Sequence, residues 1–309
     1  MTPDESRWYW DPENIVRVQE FFGSAWEMPF RLLTYLGDSG VILILVAATF
    51  WVFGRHITYG ALVTVIIGAA LGSAIKILTD VPRPAHPDLI LYESGVSPSF
   101  PSGHTFLAIS FWGALVFLGV MRTIIAVAIV IVVMLSRLFL GVHYLADMIV
   151  GVALGLLAVG LGYAGVKLVL ERLSRQHAAM LMAVGLFGSL IMLPVTGDFP
   201  LGWEILGGLL GAGVATVIES RSIRFEPASG TWSDHATRLA IGLGGIVACV
   251  VIGSLLRDIG GASLLRAGLF FLAGVWAMLG APWILDRLGH NATRYEDEPA
   301  SPAISTLRS

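Results

Sequence analysis

Long apolar runs separated by short polar links set the pattern of this chain. A bilayer core takes roughly 20 apolar residues per helix. Runs of that kind occupy 38–54, 57–79, 103–121, 122–141, 145–168, 178–196, 201–219, 237–256 and 264–286. They predict an all-α polytopic membrane protein with about nine transmembrane helices. Residues 12–36 read differently. Ile15, Val18, Phe22, Trp26, Phe30 and Leu33 recur at helical spacing, but Arg17, Glu20, Glu27 and Arg31 interrupt them. Charges inside hydrocarbon are costly. An interfacial amphipathic helix is therefore expected there, in preference to a poorly apolar first span.

Residues 169–177 and 220–236 are the clearest polar links. The chain accordingly divides into an N-terminal segment (1–36), a core (37–170), a C-terminal four-helix membrane extension (171–289) and a polar tail (290–309). The extension forms two pairs, 178–219 and 237–286, whose many Gly and Ala residues suit close helix packing. The tail is expected to be disordered. Basic residues gather at Arg55, at Arg122, at Lys167, Arg172 and Arg175, at Arg221, Arg224 and Arg238, and after Arg287. Positive loops stay inside, so these ends and the C-terminus are expected to be cytoplasmic. The links at 80–102, 142–144, 197–200 and 257–263 then face outward. The sequon at Asn291 would be left unused on the cytoplasmic side.

Composition agrees with a membrane protein. The 309 residues are 56% hydrophobic and 13% charged, against roughly 25% charged in soluble domains. A net charge of −3 gives no sign of a nucleic-acid partner. Cys249, the single cysteine, excludes an internal disulfide and supports no metal cluster. The opening MTPDESRWYWDPE has no basic stretch followed by an apolar core, so it does not read as a cleavable signal peptide.

Ionisable groups within or beside spans mark functional sites by default, and here they collect at outward-facing ends. Lys76 lies near the end of the second span, and Arg83 follows between Pro82 and Pro84, which stiffen the exit. Ser102, Gly103 and His104 open the third span, Arg137 lies near the end of the fourth, and His143 and Asp147 begin the fifth. Residues four apart share a helix face. Asp147 can therefore fix one nitrogen of His143 and leave the other as a nucleophile. A helix start at Pro101-Ser102-Gly103 offers free backbone N–H groups to an anion, and Gly103 permits close approach. Lys76, Arg83 and Arg137 add three positive charges, and arginine forks suit phosphate oxygens. The set describes a phosphoryl-transfer site needing neither metal nor cofactor.

Each residue also has a bland reading when taken singly. Lys76 would snorkel to the interface, Arg137 would meet a headgroup, and Ser102 would be a plain N-cap. His143 would be a satisfied interfacial histidine, and Asp147 would favour a helix start. Convergence on one face favours the shared site. His56, His86, His177, His235 and His290 lack such company and read as interfacial or loop residues. Glu93, in the 85–100 loop, reads as a solvated residue in preference to a substrate contact.

The same residues resemble the type 2 phosphatidic acid phosphatase superfamily, whose blocks are Lys-x6-Arg-Pro, Pro-Ser-Gly-His and Ser-Arg-x5-His-x3-Asp. This chain has Lys76-x6-Arg83-Pro84, Pro101-Ser102-Gly103-His104 and Ser136-Arg137-x5-His143-x3-Asp147. The resemblance covers about residues 40–168. It implies that His143 attacks phosphorus, that Asp147 orients it, and that His104 protonates the leaving oxygen and then activates water. It implies that Lys76, Arg83, Ser102, Gly103 and Arg137 hold the phosphoryl oxygens without a divalent metal. The expected activity is lipid phosphate hydrolysis at the outer face of the cell membrane, on phosphatidate, phosphatidylglycerophosphate or a polyprenyl diphosphate. A lipid phosphotransferase using the same site, and a lipid translocase or binding protein, are the rival expectations. Haloperoxidases of the wider superfamily are soluble, which the spans argue against. The rear helices 178–286 fall outside the resemblance.

Overall fold

The computed structural model describes residues 2–93, 97–189, 202–255 and 263–293. Parts of the expected spans 178–196 and 201–219, the links 197–200 and 257–262, and the tail from 294 lie outside the described residues. Among the described residues the chain is helical, and its one isolated β-bridge pairs Pro227 with Asn291. The chain forms two compact units. One takes in Met1–Val46 and Ile57–Gly202, the other Ala47–His56 and Trp203–Ser309.

The N-terminal segment is not one helix. α1 (Glu13–Phe22) ends at Gly23, whose φ of +73° is open to glycine at little cost. A 3₁₀ turn, Ser24–Trp26, leads into α2 (Glu27–Leu33), and a second, Thr34–Gly37, follows it. The apolar stripe foreseen for this segment packs largely on protein. Ile15 packs with Leu138 and Met148, while Phe30, with Val18, Phe22 and Leu33 around it, packs on Phe139, Leu140 and Val142. A different face is bare: Phe21, Met28 and Leu32 are 82%, 63% and 62% exposed.

α3 (Ser39–Phe53) bends by 55° from Ser24–Gly37, and the two together are apolar enough to cross a membrane. α4 (Arg55–Thr79), Leu145–Arg172, which contains α7 (Leu145–Leu168), α10 (Trp232–Leu255) and Leu264–Arg287 are each long and apolar enough to cross alone. α5 (Gly103–Phe117) and α6 (Thr123–Phe139) are apolar but have 15 and 17 residues. At 1.5 Å per residue these reach only about 22–26 Å, less than the roughly 30 Å of a hydrocarbon core. They are shorter than the runs 103–121 and 122–141 because the chain leaves α5 at Gly119 and α6 ahead of Gly141, each with φ +79°. Lengths thus give four spans, or five with the bent pair, among the described residues.

In the first unit α5 lies close along α7. A Cβ at Gly151 would meet the Thr105 side chain at 3.0 Å, and one at Gly155 would meet Ile109 Cβ at 2.5 Å. α8 (Arg175–Ser189) belongs to the same unit.

In the second unit, small residues let α9 (Gly202–Ser222) approach α11 (Ser263–Val275), where a Cβ at Gly211 would overlap the Phe271 carbonyl. A π-turn, Trp276–Gly280, joins α11 to α12 (Ala281–Arg287), ahead of Pro282, which lacks an N–H to donate. The Trp51 ring, wholly buried, lies against Gly242 and donates to the Ala277 carbonyl at 2.8 Å. The chain is still packed at Asn291, at the start of the polar tail. Its amide accepts from Glu226 N at 3.0 Å and donates to Asp286 Oδ1 at 2.9 Å.

Candidate active site

The first unit gathers the ends of α4, α5, α6 and α7 with the 80–102 link. Lys76 is in the last turn of α4. Its Nζ donates to the carbonyls of Pro98 at 2.5 Å and Ser99 at 3.4 Å. Asp80 ends the helix at φ +43° and turns the chain toward Arg83. Arg83 donates through Nε to the Ser97 carbonyl at 3.0 Å and through Nη1 to the Val142 carbonyl at 2.8 Å. The segment preceding α5 is therefore held by two cations through its backbone. Burial, with Arg137 as the next cause, pulls Arg83 down from the ordinary guanidinium value.

Ser102 is the N-cap of α5, and its Oγ accepts from Thr105 Oγ1 at 3.1 Å and Thr105 N at 3.5 Å. Its own O–H proton stays available to a ligand, because both contacts use the oxygen as acceptor. The space at Gly103 is open, since a Cβ there would meet only Phe106 Cζ at 4.0 Å. His104 sits in the first turn of α5. Above its backbone, a Cβ at Gly37 would lie 2.8 Å from the His104 carbonyl oxygen and 2.7 Å from Val133 Cγ1.

Arg137 is in the last turn of α6, which gives way after Phe139 to the turn through Gly141, where φ is +79° and a Cβ would press on the Ile90 carbonyl at 2.8 Å. That turn aims His143. Its Nδ1 lies 3.0 Å from Asp147 Oδ2, with both side chains buried. The same oxygen accepts from Tyr144 N at 2.9 Å and from the Ser99 hydroxyl. A proton on Nδ1 facing the carboxylate leaves Nε2 with its lone pair. Burial, and then the charges of Arg137, Arg83 and Lys76, hold His143 well below the ordinary imidazole value. The neutral ring is thus the resting form. The same three cations and His143 also act on His104. Lys76, Arg83 and Arg137 are thus near enough to bear on both His104 and His143, and Asp147 near enough to bear on Lys76 and Arg83.

Arg137 is buried, and its Nη1 and Nη2 meet the two carboxylate oxygens of Glu93 at 2.8 and 3.3 Å. Nη1 also donates to Thr34 Oγ1 at 3.1 Å. Glu93 is therefore only partly solvated, with its carboxylate committed to Arg137. The N-terminal segment contributes more than Thr34. Gln19 bonds Ile90 in both directions, and the Tyr9 carbonyl accepts from Ala146 N, near the start of α7. Trp10 is buried with Phe100 and Tyr144 at ring distances of 5.5 and 5.3 Å. Burial pushes the Tyr144 phenol up to about 12. Ser99, Thr34 and Trp10 carried no sequence signal beyond their nearness to the motifs or to the N-terminal apolar stripe.

A model of the PAP2 superfamily matches residues 57–169, which hold all three sequence blocks. A second, described as PAP2 superfamily phosphatase, transmembrane extension, matches residues 203–294. No curated protein and no solved structure matches the chain. Helices and matches together define the class, a helical membrane lipid phosphatase. The chain belongs to the PAP2 superfamily, the type 2 phosphatidic acid phosphatases and their relatives. The rear helices, left without a role by the motifs, are family material from residue 203 on.

Proposed function

We propose that the protein hydrolyses lipid phosphomonoesters or diphosphates through a phosphohistidine, without a divalent metal. The observation that carries this reading is the buried His143–Asp147 pair under the charges of Lys76, Arg83 and Arg137. The Nε2 lone pair of His143 attacks the terminal phosphorus, and its bond to the leaving oxygen breaks, the lipid oxygen in a monoester and the bridging oxygen in a diphosphate. His104 gives that oxygen its proton. In the second step His104 takes a proton from water, the water oxygen attacks phosphorus, and the P–N bond breaks to release inorganic phosphate. Asp147 stabilises the charge on the His143 ring throughout. The cations, the Ser102 hydroxyl and the backbone at Gly103 hold the phosphoryl oxygens, so positioning and electrostatics supply most of the rate.

Phosphatidate, phosphatidylglycerophosphate and polyprenyl diphosphates all present such a group. In this reading the chain crosses the cell membrane nine times, with the site outside and the C-terminus in the cytoplasm. The division into N-terminal segment, core, extension and tail belongs to the same proposal. The test is a panel of these lipids given to purified protein in detergent with a chelator. Phosphate release should persist in chelator and vanish in His143→Ala. Label passing to an added alcohol instead of water would favour the phosphotransferase. Lipid transfer that survives His143→Ala would favour the translocase.

A further inference from the structure

Ser99 stands outside the sequence blocks, yet it is fully buried against the catalytic pair. Its backbone is fixed on several sides. Ser99 N donates to the Val81 carbonyl at 2.8 Å, Lys76 takes the carbonyls of Pro98 and Ser99, and Arg83 takes that of Ser97. A buried serine commonly satisfies itself on a nearby backbone carbonyl. Here the carbonyls of residues 97–99 already serve Lys76 and Arg83, and the hydroxyl is turned to Asp147 Oδ2. It also lies 3.4 Å from His143 Nδ1.

Asp147 is held from one side. Oδ2 collects the Ser99 hydroxyl, the Tyr144 N–H and His143 Nδ1, while Oδ1 is buried without a hydrogen-bond partner among the described residues. A carboxylate removed from water is costly unless donors compensate it. Only two of these donors stay the same through the reaction, the Tyr144 amide and the Ser99 hydroxyl. The third, on His143, changes character when phosphorus bonds to Nε2 and the ring becomes cationic.

Resting on the function proposed above, we infer that Ser99 is a positioning residue for phosphoryl transfer. Its O–H fixes Oδ2 against His143 and holds negative charge there, so that the Nδ1 proton stays on the ring while Nε2 carries the phosphoryl group. Ser99 touches neither phosphorus nor the leaving oxygen in this account. Its effect therefore falls on turnover and spares substrate binding.

Three variants separate a hydrogen-bond donor from a space filler. Ser99→Ala removes the hydroxyl, Ser99→Cys keeps most of the volume with a weak donor, and Ser99→Thr keeps the donor. Steady-state kinetics on the preferred lipid, with thermal unfolding of each variant, should give kcat at least fivefold lower for Ala and Cys. KM should stay within twofold, and Thr should recover most of the rate. A smaller loss in Ala overturns the inference, as does full recovery in Cys, because cysteine fills the space without the donor strength. If Thr does not fold, the Ala and Cys comparison decides alone. Wild type and His143→Ala run alongside. If wild type is silent or His143→Ala is active, the function reading falls and this inference with it. If those controls behave and Ser99→Ala matches wild type, only the role of Ser99 falls.

Discussion

Arg137 rests on a carboxylate of its own chain. Its fork is filled by Glu93 in much the geometry a phosphoryl group would use. Substrate and Glu93 therefore compete for one guanidinium. The pair is part-exposed, and such pairs are worth about 0.2–1 kcal/mol. Glu93→Gln should accordingly lower the inhibition constant of vanadate or inorganic phosphate by about twofold to fivefold; unchanged or weaker inhibition would remove the competition. The second consequence at this scale concerns His143. Because cations contribute to holding its protonation low, removing one raises its proton affinity, and the neutral nucleophile is lost at a higher pH. In Arg83→Gln the acid limb of the residual kcat/KM should move upward. It should stay below the ordinary value near 6.5, since burial is the larger cause. Residue spacing within one segment was readable from the chain, as with Lys76 and Arg83 or His143 and Asp147. Ser99, Thr34 and Glu93 were not, because their partners lie 48, 103 and 44 positions away. Only the folded chain brings such positions together.

The elements explain both what the hydrophobic pattern revealed and what it concealed. Runs of apolar residues located α4, α7 and α10, because long uninterrupted hydrocarbon-facing helices leave a one-dimensional signal. The pattern overstated α5, since apolar residues of the 118–122 link extend the run after the helix has stopped, and α6, since Leu140 and Gly141 carry it past Phe139. It also merged α1 and α2, whose shared helical period hides the break at Gly23. These short elements bear on the site through close contact. Gly37, at the end of the second 3₁₀ turn, leaves no room for a side chain beside the His104 backbone. Gly37→Val should push α5 at His104 and cut kcat by roughly tenfold to a hundredfold, the scale of an ångström of misplacement. A matched unfolding temperature would show that the loss lies in placement. Unaltered kcat would mean that α5 absorbs the change.

At the scale of the molecule, the two compact units do not follow the linear order of the chain. The turn between α3 and α4, within Ala47–His56, belongs to the second unit although its flanking arms belong to the first. Phe50 packs on Phe225, Trp51 fits against Gly242 and reaches Ala277, and Arg55 pairs with Glu226 at 2.6 Å. Composition announced a membrane protein, but the expected pairing of 178–219 did not foresee that α8 belongs to the first unit and α9 to the second, and no local pattern could announce this interleaving. Trp51→Ala should destabilise the protein by about 3–5 kcal/mol, as for other large buried aromatics, read as loss of the folded fraction in detergent.

The stretch 47–56, the end of α3 and the start of α4, therefore acts as a graft. A gene shortened after residue 202 would still encode Phe50 and Trp51, but would omit Phe225, Gly242 and Ala277, which enclose them. Two large rings and an arginine would lose the partners that cover them. The rear helices are in this sense no detachable appendage, and a minimal enzyme cut from this chain would first need those three side chains redesigned.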